Sequence, residues 1–317
     1  MHIWNKSCTH RIYRAHIEKI VHIAALDQYL YNTGQIYFLY LVKSTRVQFM
    51  ARGRRLNTLE DYTRSLKNKY GLGEKENYKP WYRVQDVKSK GLSSKIQGMK
   101  INREHHTLSK QETVFFFLAE FSDVVVDIRE QFPLLPLDLS VKIAKTIGVD
   151  HPEVPGKKSK HLMTTDFLLT CSDGKKVWHI AVCVKSKEDL QDERVLEKLE
   201  IERLWWQLLG IRFLVFSSSD IAEVQSGNVA WVTDPIRHKL NALNLITEDL
   251  KTKALTLIAP GNQLQETICN DLLRELKLCD VDPLMLLKVL IAEKRLLVDL
   301  SLPMIETGMI LVTKVNI

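Results

Sequence analysis

The sequence predicts an α/β protein, with a mixed sheet flanked by helices over residues 107–233 and a mainly helical domain over residues 234–317. The first observation is a pair of β-type runs, residues 162–170 and 176–186, joined through a segment that contains Asp173-Gly174. Asp-Gly between such runs is a strong hairpin signal. The second observation is that helical patterns stand on both sides of this hairpin and that a further strand follows. Such an order of helices and strands is typical of a mixed α/β domain.

The first 106 residues divide into two segments of different character. Residues 1–49 show no sustained period of 2 or 3.6, and we predict a non-native or disordered extension there, with translation beginning at Met50. Residues 50–106 are predicted to form a basic N-terminal arm with one helix over 58–70. Four apolar residues recur in that helix at spacings of three and four: Leu59, Tyr62, Leu66 and Tyr70. The Gly- and Lys-rich remainder, residues 71–104, is predicted to be extended or loop-rich.

The next segment begins with a helix start signal. Ser109 and Glu112 fit the S-x-x-E capping box and precede an apolar run, so a helix is predicted to begin near Ser109. A strand is predicted over residues 124–128. A polar connection that contains Pro and Gly, residues 136–161, then leads to the hairpin.

A charged helix and a buried strand complete the predicted α/β domain. The helix covers residues 190–209 and ends at Gly210, a residue type favoured just beyond helix ends. Four leucines lie on or near one stripe of this helix: Leu196, Leu199, Leu204 and Leu208. Trp205 and Trp206 are predicted to be core residues. The strand over residues 211–216 is apolar throughout most of its length, as buried strands are.

The pattern changes after Asp234-Pro235. Three helices are predicted over residues 236–250, 262–278 and 282–297, and a short β-ribbon is predicted over 304–315. Three short helices followed by a ribbon match the outline of a winged-helix domain.

The basic charge of the chain is concentrated in its N-terminal third. The formal net charge is +7, from 45 Lys and Arg against 38 Asp and Glu. Residues 50–106 contain 14 basic and 6 acidic side chains, whereas residues 107–317 contain 25 and 30. A basic block of this kind is what a nucleic acid partner requires, because binding releases counterions from phosphates. A solubilising surface is the alternative interpretation.

Cysteine usage and hydropathy limit the possible cellular locations. Five cysteines without a C-x-x-C pair argue against a disulfide framework and against a zinc ribbon, and they favour a reducing compartment. The apolar run over residues 36–42 is far shorter than the roughly 20 residues that a membrane helix needs. We therefore predict a cytoplasmic protein with no membrane association.

Three polar residues carry the predicted chemistry: Glu112 in the first turn of a helix, Asp166 in the first hairpin strand and Lys185 near the end of the second. A turn centred near Asp173-Gly174 places Asp166 opposite about residue 181, close to Lys185. Hydrolysis of a phosphodiester needs carboxylates to hold a divalent cation and a positive charge beside the attacking water. Separately, the glutamate can serve only the helix cap, the aspartate can form a turn and the lysine can extend into solvent.

The motifs of residues 105–207 resemble one nuclease family. The order acid, acid, lysine is similar to the PD-(D/E)XK superfamily, although Cys183 stands where an acid is expected. The longer sequence segments around these residues resemble the TnsA family of transposon endonucleases. The segments that carry this resemblance are His105 to Ser109, Asp127 to Leu134, Thr164 to Phe167 and Leu190 to Glu200.

The resemblance implies a restriction-endonuclease-like catalytic domain followed by a winged-helix-like domain. It implies Mg²⁺ or Mn²⁺, with two ions, held by Glu112, Asp166 and the backbone carbonyl of Val184, and it implies Lys185 as the catalytic lysine. The family often has Gln at the position of Cys183; neither side chain is a good ligand for a hard cation, so we interpret Cys183 as a buried packing residue that lines the pocket. Cys183, Glu202 and Glu200 are candidates for additional contacts around the ions.

The resemblance also implies partners and a division of labour. Transposon-end DNA is cut on its 5′ strands by this chain and on its 3′ strands by a TnsB-type transposase of the integrase fold, and a TnsC-type AAA+ regulator joins the complex. Basic and histidine residues are predicted to contact DNA: Arg52, Arg54, Arg55, Lys67, Lys69, His105 and His106. Two alternatives stay open, a catalytically silent DNA-binding or bridging subunit and a stand-alone restriction or repair nuclease.

Overall fold

The structure is a computed structural model that describes residues 53–87 and 92–316 of the chain. The helices are α1 (Leu59–Lys67), α2 (Lys110–Phe121), α3 (Leu137–Ile147), α4 (Glu193–Leu208), α5 (Asp220–Arg237), α6 (Glu248–Leu257), α7 (Gln265–Leu276), α8 (Pro283–Ala292) and α9 (Met304–Thr307). The strands are β1 (Ser94–Gln97), β2 (Glu104–Thr107), β3 (Val125–Pro133), β4 (Thr164–Ser172), β5 (Val177–Val184), β6 (Arg212–Phe216), β7 (Gly261–Leu264), β8 (Leu296–Val298) and β9 (Met309–Val315). The predicted extension over 1–49 and the predicted start at Met50 lie outside the described residues.

A four-stranded mixed sheet in the order β3-β4-β5-β6 forms the centre of the molecule. Strands β3, β4 and β5 are antiparallel, whereas β5 and β6 are parallel. A parallel pair needs a crossover between its strands, and α4 provides it. The predicted mixed α/β fold is confirmed.

Helices cover both faces of this sheet. On one face α2 contributes Phe115, Phe116 and Ala119 to a core that also contains Phe167 of β4. On the other face α3 and α4 pack on Leu168 and Ala181 through a second core. The α4 residues in this second core are Ile201, Trp205 and Trp206. The two tryptophans are buried, as the sequence predicts, while Leu208 of the predicted stripe is exposed because it lies at the end of the helix beyond the sheet.

The β4-β5 hairpin is present, but its register differs by two residues from the predicted one. Phe167 pairs with Val182, and Leu168 pairs with Ala181. Extended by one residue, this register places Asp166 opposite Cys183. The side chain of Asp173 explains the shift, because it accepts hydrogen bonds from the backbone N–H groups of Lys175 and Lys176 at 2.9 and 2.7 Å. Such bonds make Asp173 the first residue of the turn rather than its centre.

The N-terminal arm is more ordered than the sequence predicts. Strand β1 lies within the segment predicted to be loop-rich, and it pairs antiparallel with β2, which begins at the last residue of that segment. Trp81 is fully buried in a small core together with Tyr62 of α1 and Leu162. Leu59, which the periodicity places on the same face as Tyr62, is exposed. The described arm residues therefore pack against the central sheet through aromatic side chains. This is a tertiary effect that local sequence patterns do not contain.

The structure differs from two sequence predictions about where helices lie. The predicted connection over 136–161 contains α3, whose buried residues Ser140, Ile143 and Ala144 follow helical spacing and which ends at Gly148 in the left-handed conformation. The helix predicted over 236–250 is instead divided between α5 and α6. Pro235 does not end α5 but lies in its last turn, so the predicted domain boundary at 233/234 falls inside a helix.

The C-terminal residues form a second core. Helices α6, α7 and α8 pack with a three-stranded sheet in the order β7-β9-β8, and α5 contacts both α2 and α8. The residues of α8 are buried on nearly every side. The predicted ribbon over 304–315 is one helical turn, α9, followed by strand β9. The first residues of the helix predicted over 262–278 belong instead to β7, which pairs with β9.

None of the helices within residues 53–87 and 92–316 combines the length and the apolar character that a membrane span requires.

Candidate active site

Three elements meet at one end of the central sheet. They are the first turn of α2, the beginning of β4 and the end of β5, and they contribute Glu112, Asp166 and Lys185. Because β4 and β5 are antiparallel, the start of one strand lies beside the end of the other. The structure thereby brings together the three residues that the sequence predicts.

Asp166 is the centre of the cluster. Its Oδ2 accepts a hydrogen bond from the backbone N–H of Val184 at 2.7 Å and lies 3.3 Å from Nζ of Lys185. The thiol of Cys183 also donates to Oδ2, with Sγ at 3.3 Å. The side chain of Asp166 keeps 14% of its surface exposed, so one side of this carboxylate remains open to an incoming group.

Lys185 contacts two oxygen atoms that the family resemblance implies as metal ligands. Its Nζ lies 3.3 Å from Oδ2 of Asp166 and donates to the carbonyl oxygen of Val184 at 2.8 Å. Burial lowers the pKa of Lys185, but the negative charge of Asp166 outweighs it and the pKa lies well above its ordinary value. Lys185 is therefore an ammonium group, able to donate hydrogen bonds but not to accept a proton.

Glu112 caps the start of α2 and also belongs to the acidic cluster around Asp166. As in the predicted capping box, the hydroxyl of Ser109 accepts from the backbone N–H of Glu112 at 3.1 Å and donates to its Oε1 at 2.9 Å. The other oxygen, Oε2, accepts from the backbone N–H of Leu108 at 2.9 Å. Burial, assisted by the nearby charge of Asp166, raises the pKa of Glu112 to about 7. Glu112 therefore holds its proton more tightly than an exposed glutamate does.

Gln131 joins the two acids and is a site residue that the sequence interpretation missed. Its Nε2 lies 3.3 Å from Oε2 of Glu112 and 3.4 Å from Oδ1 of Asp166. Two signals could have identified it. It lies in the segment Asp127 to Leu134 that carries the family resemblance, and a glutamine in a buried strand is costly unless its amide is paired.

Glu202 lies behind the acid pair on α4. It is only 4% exposed, and its Oε1 has no hydrogen-bond partner among the residues that the structure describes. Burial, together with the charge of Asp166, raises the pKa of Glu202 to about 8. A buried carboxyl group with an unpaired oxygen is suited to receive a cation.

Oxygen ligands at this end of the sheet fit a hard divalent cation. Glu112, Asp166 and the carbonyl of Val184 present the carboxylate and carbonyl oxygens that Mg²⁺ and Mn²⁺ prefer. Within residues 53–87 and 92–316, no three His, Cys, Asp or Glu side chains converge closely enough to hold an ion by themselves. A backbone carbonyl and solvent would therefore have to complete the ligand set, as is usual for Mg²⁺.

Two neighbouring candidates differ in their placement. Cys183 is buried, which agrees with its interpretation as a packing residue that lines the pocket, and burial raises its pKa well above the ordinary value. Glu200 is bonded to Arg203 at 2.6 Å on α4. Residues two apart on a helix point about 200° apart, so Glu200 faces away when Glu202 faces the site. We do not retain Glu200 among the contacts around the ions.

Three of the residues predicted to contact DNA have internal partners instead. Nδ1 of His105 lies 3.0 Å from the Glu130 carboxylate, and the ring packs on Phe116. His106 is also buried, and its backbone N–H donates to Glu130. Arg54 pairs with Asp86 at 2.6 Å. These side chains support the fold, and we do not carry them into the proposed DNA surface.

The other basic residues of the arm differ in position. Arg55, Lys67 and Lys69 are exposed, which leaves them able to contact phosphate, and Arg52 lies outside the described residues.

Replacing Glu202 with glutamine should flatten the pH dependence of stability. A carboxyl group whose pKa is about 8 when folded and near 4.5 when unfolded stabilises the fold at low pH, and this contribution is lost as the pH rises from 4.5 to 8. In the presence of a chelator, the free energy of unfolding of the unmodified chain should therefore fall over this range. Glu202→Gln should reduce the slope by up to about 1.4 kcal/mol per pH unit, the value for one proton. Denaturant titrations at several pH values measure it.

The matched control for this prediction is Glu200→Gln, two residues away on the same helix. It should leave the slope unchanged, because Glu200 is bonded to Arg203 and lies away from the acid pair. Equal slopes in the two variants would contradict a buried, protonated Glu202.

A mixed sheet between helical layers, with acids and a lysine gathered where β4 begins and β5 ends, defines a restriction-endonuclease-like nuclease domain. The comparisons with known proteins agree. Residues 122–218 match the family described as TnsA-like endonuclease N terminal. This range includes Gln131, Asp166, Lys185 and Glu202, whereas Glu112 lies just before it.

The chain is also 37% identical, over 219 residues, to the transposon Tn7 transposition protein TnsA of Escherichia coli. The aligned region covers 69% of this chain and 75% of that protein. The chain therefore belongs to the TnsA family of transposition endonucleases, and the resemblance predicted from its motifs is confirmed.

Proposed function

We propose that this chain is a divalent-metal-dependent DNA endonuclease that hydrolyses the 5′ strands at transposon ends during cut-and-paste transposition. It acts on transposon-end DNA together with a TnsB-type transposase that cuts the 3′ strands, and a TnsC-type AAA+ protein regulates the complex. The cofactor is Mg²⁺ or Mn²⁺, with two ions.

One observation supports this proposal above all. Asp166 contacts Lys185, and Gln131 joins the same aspartate to Glu112. The three charged residues are separated by 54 and 19 positions in the chain, as their numbers state, and no local structural requirement brings them together. Burying two acids beside each other is unfavourable without a compensating charge. Lys185 compensates part of that charge, and a cation would compensate the rest.

The proposed ligands are Glu112, Asp166 and the carbonyl of Val184, with Glu202 as the candidate for a second ion. A bound divalent ion polarises the scissile phosphate and lowers the pKa of water. Glu112 has to lose its proton to bind, and its pKa near 7 allows this at neutral pH. Lys185, as an ammonium group, donates a hydrogen bond to the attacking water or to a phosphate oxygen and so orients the reaction.

DNA contacts are proposed for the exposed basic residues of the arm. Arg55, Lys67 and Lys69 belong to the segment with the basic excess, together with Arg52. Residues 107–317 have five more acidic than basic side chains, so this part of the chain attracts phosphate weakly. We infer that recognition of the transposon ends comes mainly from the partner transposase.

A reconstitution with strand-resolved mapping tests the proposal. The chain and its partner transposase are incubated with a plasmid that carries both transposon ends, and the cuts on each strand are mapped separately. With Mg²⁺ present, both strands should be cut. Asp166→Asn should remove the 5′ cuts and leave the 3′ cuts, because only the site described here is changed.

Two outcomes would contradict the proposal. If Asp166→Asn cuts the 5′ strands as fast as the unmodified chain, the reaction occurs elsewhere. If it removes the 3′ cuts alone, the division of strands is the opposite of the proposed one.

A further inference from the structure

Gln131 has a backbone conformation that glutamine rarely adopts. Its φ is +50°, in the left-handed region, although it lies within β3. A residue other than glycine in that region is unfavourable and persists only where surrounding contacts fix it. The paired residues on either side, Glu130 with Phe167 and Phe132 with Thr165, continue the ladder past it. The local departure from regular strand geometry is therefore confined to the residue that faces Asp166.

The N-terminal arm fixes this conformation. The backbone N–H of Trp81 donates to the carbonyl of Gln131 at 3.2 Å, and the hydroxyl of Tyr78 donates to the carbonyl of Glu130 at 3.0 Å. Both aromatic side chains are buried. The carbonyl of Gln131 thus points toward the arm, and its side chain is directed toward the acids.

The amide of Gln131 has one orientation that satisfies every neighbour. Nε2 faces oxygens of both Glu112 and Asp166, at 3.3 and 3.4 Å, and two carboxylates accept hydrogen bonds but do not donate them when ionised. Oε1 accepts from the hydroxyl of Thr164 at 3.0 Å. Exchanging the two amide atoms would place an oxygen against two carboxylates. Thr164 therefore holds the NH₂ group toward the acids.

We propose that Gln131 is a positioning residue that holds Glu112 and Asp166 turned toward one point, so that both can bind the same divalent cation. This inference rests on the proposed metal-dependent function. The two carboxylates come from different elements and repel each other when ionised. A neutral NH₂ group between them opposes this repulsion without supplying a third charge that would compete with the cation. The acids are thereby arranged before the ion binds, which reduces the reorganisation that binding requires.

Binding of Mn²⁺ to the full chain, without DNA, tests the inference. The titration compares the unmodified chain with Gln131→Met, which keeps the length of the side chain and removes the amide, and with Thr164→Val, which removes the hydroxyl that orients it. Gln131→Met should raise the Kd for Mn²⁺ about tenfold or more, the usual effect of losing a group that orients metal ligands. Thr164→Val should raise it by a smaller factor.

A second measurement separates positioning from structural support. The Mn²⁺ concentration for half-maximal DNA cleavage should rise by the same factor as the Kd in Gln131→Met, and excess Mn²⁺ should restore most of the rate. The thermal unfolding temperature in chelator should stay close to that of the unmodified chain. If Gln131→Met unfolds at a much lower temperature, the test rests on Thr164→Val. A raised Kd for Mn²⁺ in that variant supports the positioning role, and an unchanged Kd contradicts it.

The controls distinguish failure of this inference from failure of the proposed function. Gln207→Met, an exposed glutamine at the end of α4, should leave the Kd unchanged. Asp166→Asn should abolish binding. If Asp166→Asn loses Mn²⁺ while Gln131→Met and Thr164→Val bind it as tightly as the unmodified chain, the positioning role is wrong and the metal site stands. If Asp166→Asn binds normally, the metal site is wrong and the positioning role is excluded with it.

Discussion

Replacing Lys185 with alanine is expected to reduce DNA cleavage about a thousandfold, within the range that one positioned proton donor or charge contributes to hydrolysis. The ammonium group lies 3.3 Å from Asp166 and 2.8 Å from the carbonyl of Val184, beside the place where the scissile phosphate is expected. An alanine at this position can neither orient water nor stabilise a developing negative charge. Single-turnover cleavage of an end-labelled DNA with saturating Mg²⁺ measures the loss.

The fold should survive this replacement. The side chain of Lys185 is 28% exposed, and Asp166 keeps its hydrogen bonds from the backbone N–H of Val184 and from Cys183. A partly exposed ion pair contributes only about 1 kcal/mol or less to stability. The thermal unfolding temperature should therefore change by a few degrees at most.

Lys187→Ala is the matched control, because Lys187 is an exposed lysine two residues further along the chain. It should cleave at the rate of the unmodified chain. A folded Lys185→Ala variant that also cleaves at that rate would remove Lys185 from the mechanism. Absence of cleavage by the unmodified chain itself would instead favour the alternative of a catalytically silent bridging subunit.

Replacing Glu130 with alanine is expected to have the largest effect on stability, a loss of about 3–5 kcal/mol in the free energy of unfolding. Glu130 is fully buried and lies 2.6 Å from Nη2 of Arg103. It also contacts Nδ1 of His105 at 3.0 Å and accepts from the backbone N–H of His106 at 3.1 Å. Removing the carboxylate leaves the buried guanidinium of Arg103 without its charge partner. Chemical denaturation at neutral pH measures the loss.

Glu104→Ala provides the control for a surface charge on the β1-β2 hairpin beside this network. Glu104 lies on β2 and pairs with Lys95 at 3.0 Å, but both side chains are about half exposed. Its loss should cost no more than about 1 kcal/mol. Similar losses for Glu130→Ala and Glu104→Ala would show that the buried network around Glu130 does not stabilise the fold.

The Glu130 network also predicts a response to acid. Although burial raises the pKa of Glu130, its contacts with His105 and Arg103 outweigh this and hold the pKa well below its ordinary value. A carboxyl group with a lowered pKa stabilises the fold above the pKa of the unfolded chain, and this contribution is lost as the pH falls. Glu130→Ala should therefore lose less stability than the unmodified chain when the pH is lowered below 4.5.

The elements that the sequence predicts correctly are those with strong local signals. The capping box at Ser109, the Asp-Gly turn and the apolar strand over residues 211–216 each fix a helix start, a hairpin or a strand through nearby residues alone. The helix α3 was missed because its polar residues concealed a short buried stripe. The two-residue error in the hairpin register came from a side-chain hydrogen bond of Asp173 that alternation does not reveal.

The class of chemistry can be predicted from the residues alone, because acids at Glu112 and Asp166, a lysine at Lys185 and the surrounding motifs are properties of residue type and order. The further side chains that join them are visible only in the folded chain. Gln131 and Glu202 lie near the acids through strand pairing and helix packing, whereas His105 and Arg54 are paired with buried carboxylates and His106 is itself buried. The physical reason is that burial and pairing depend on residues far away in the chain, and the chemical behaviour of a charged side chain depends on both.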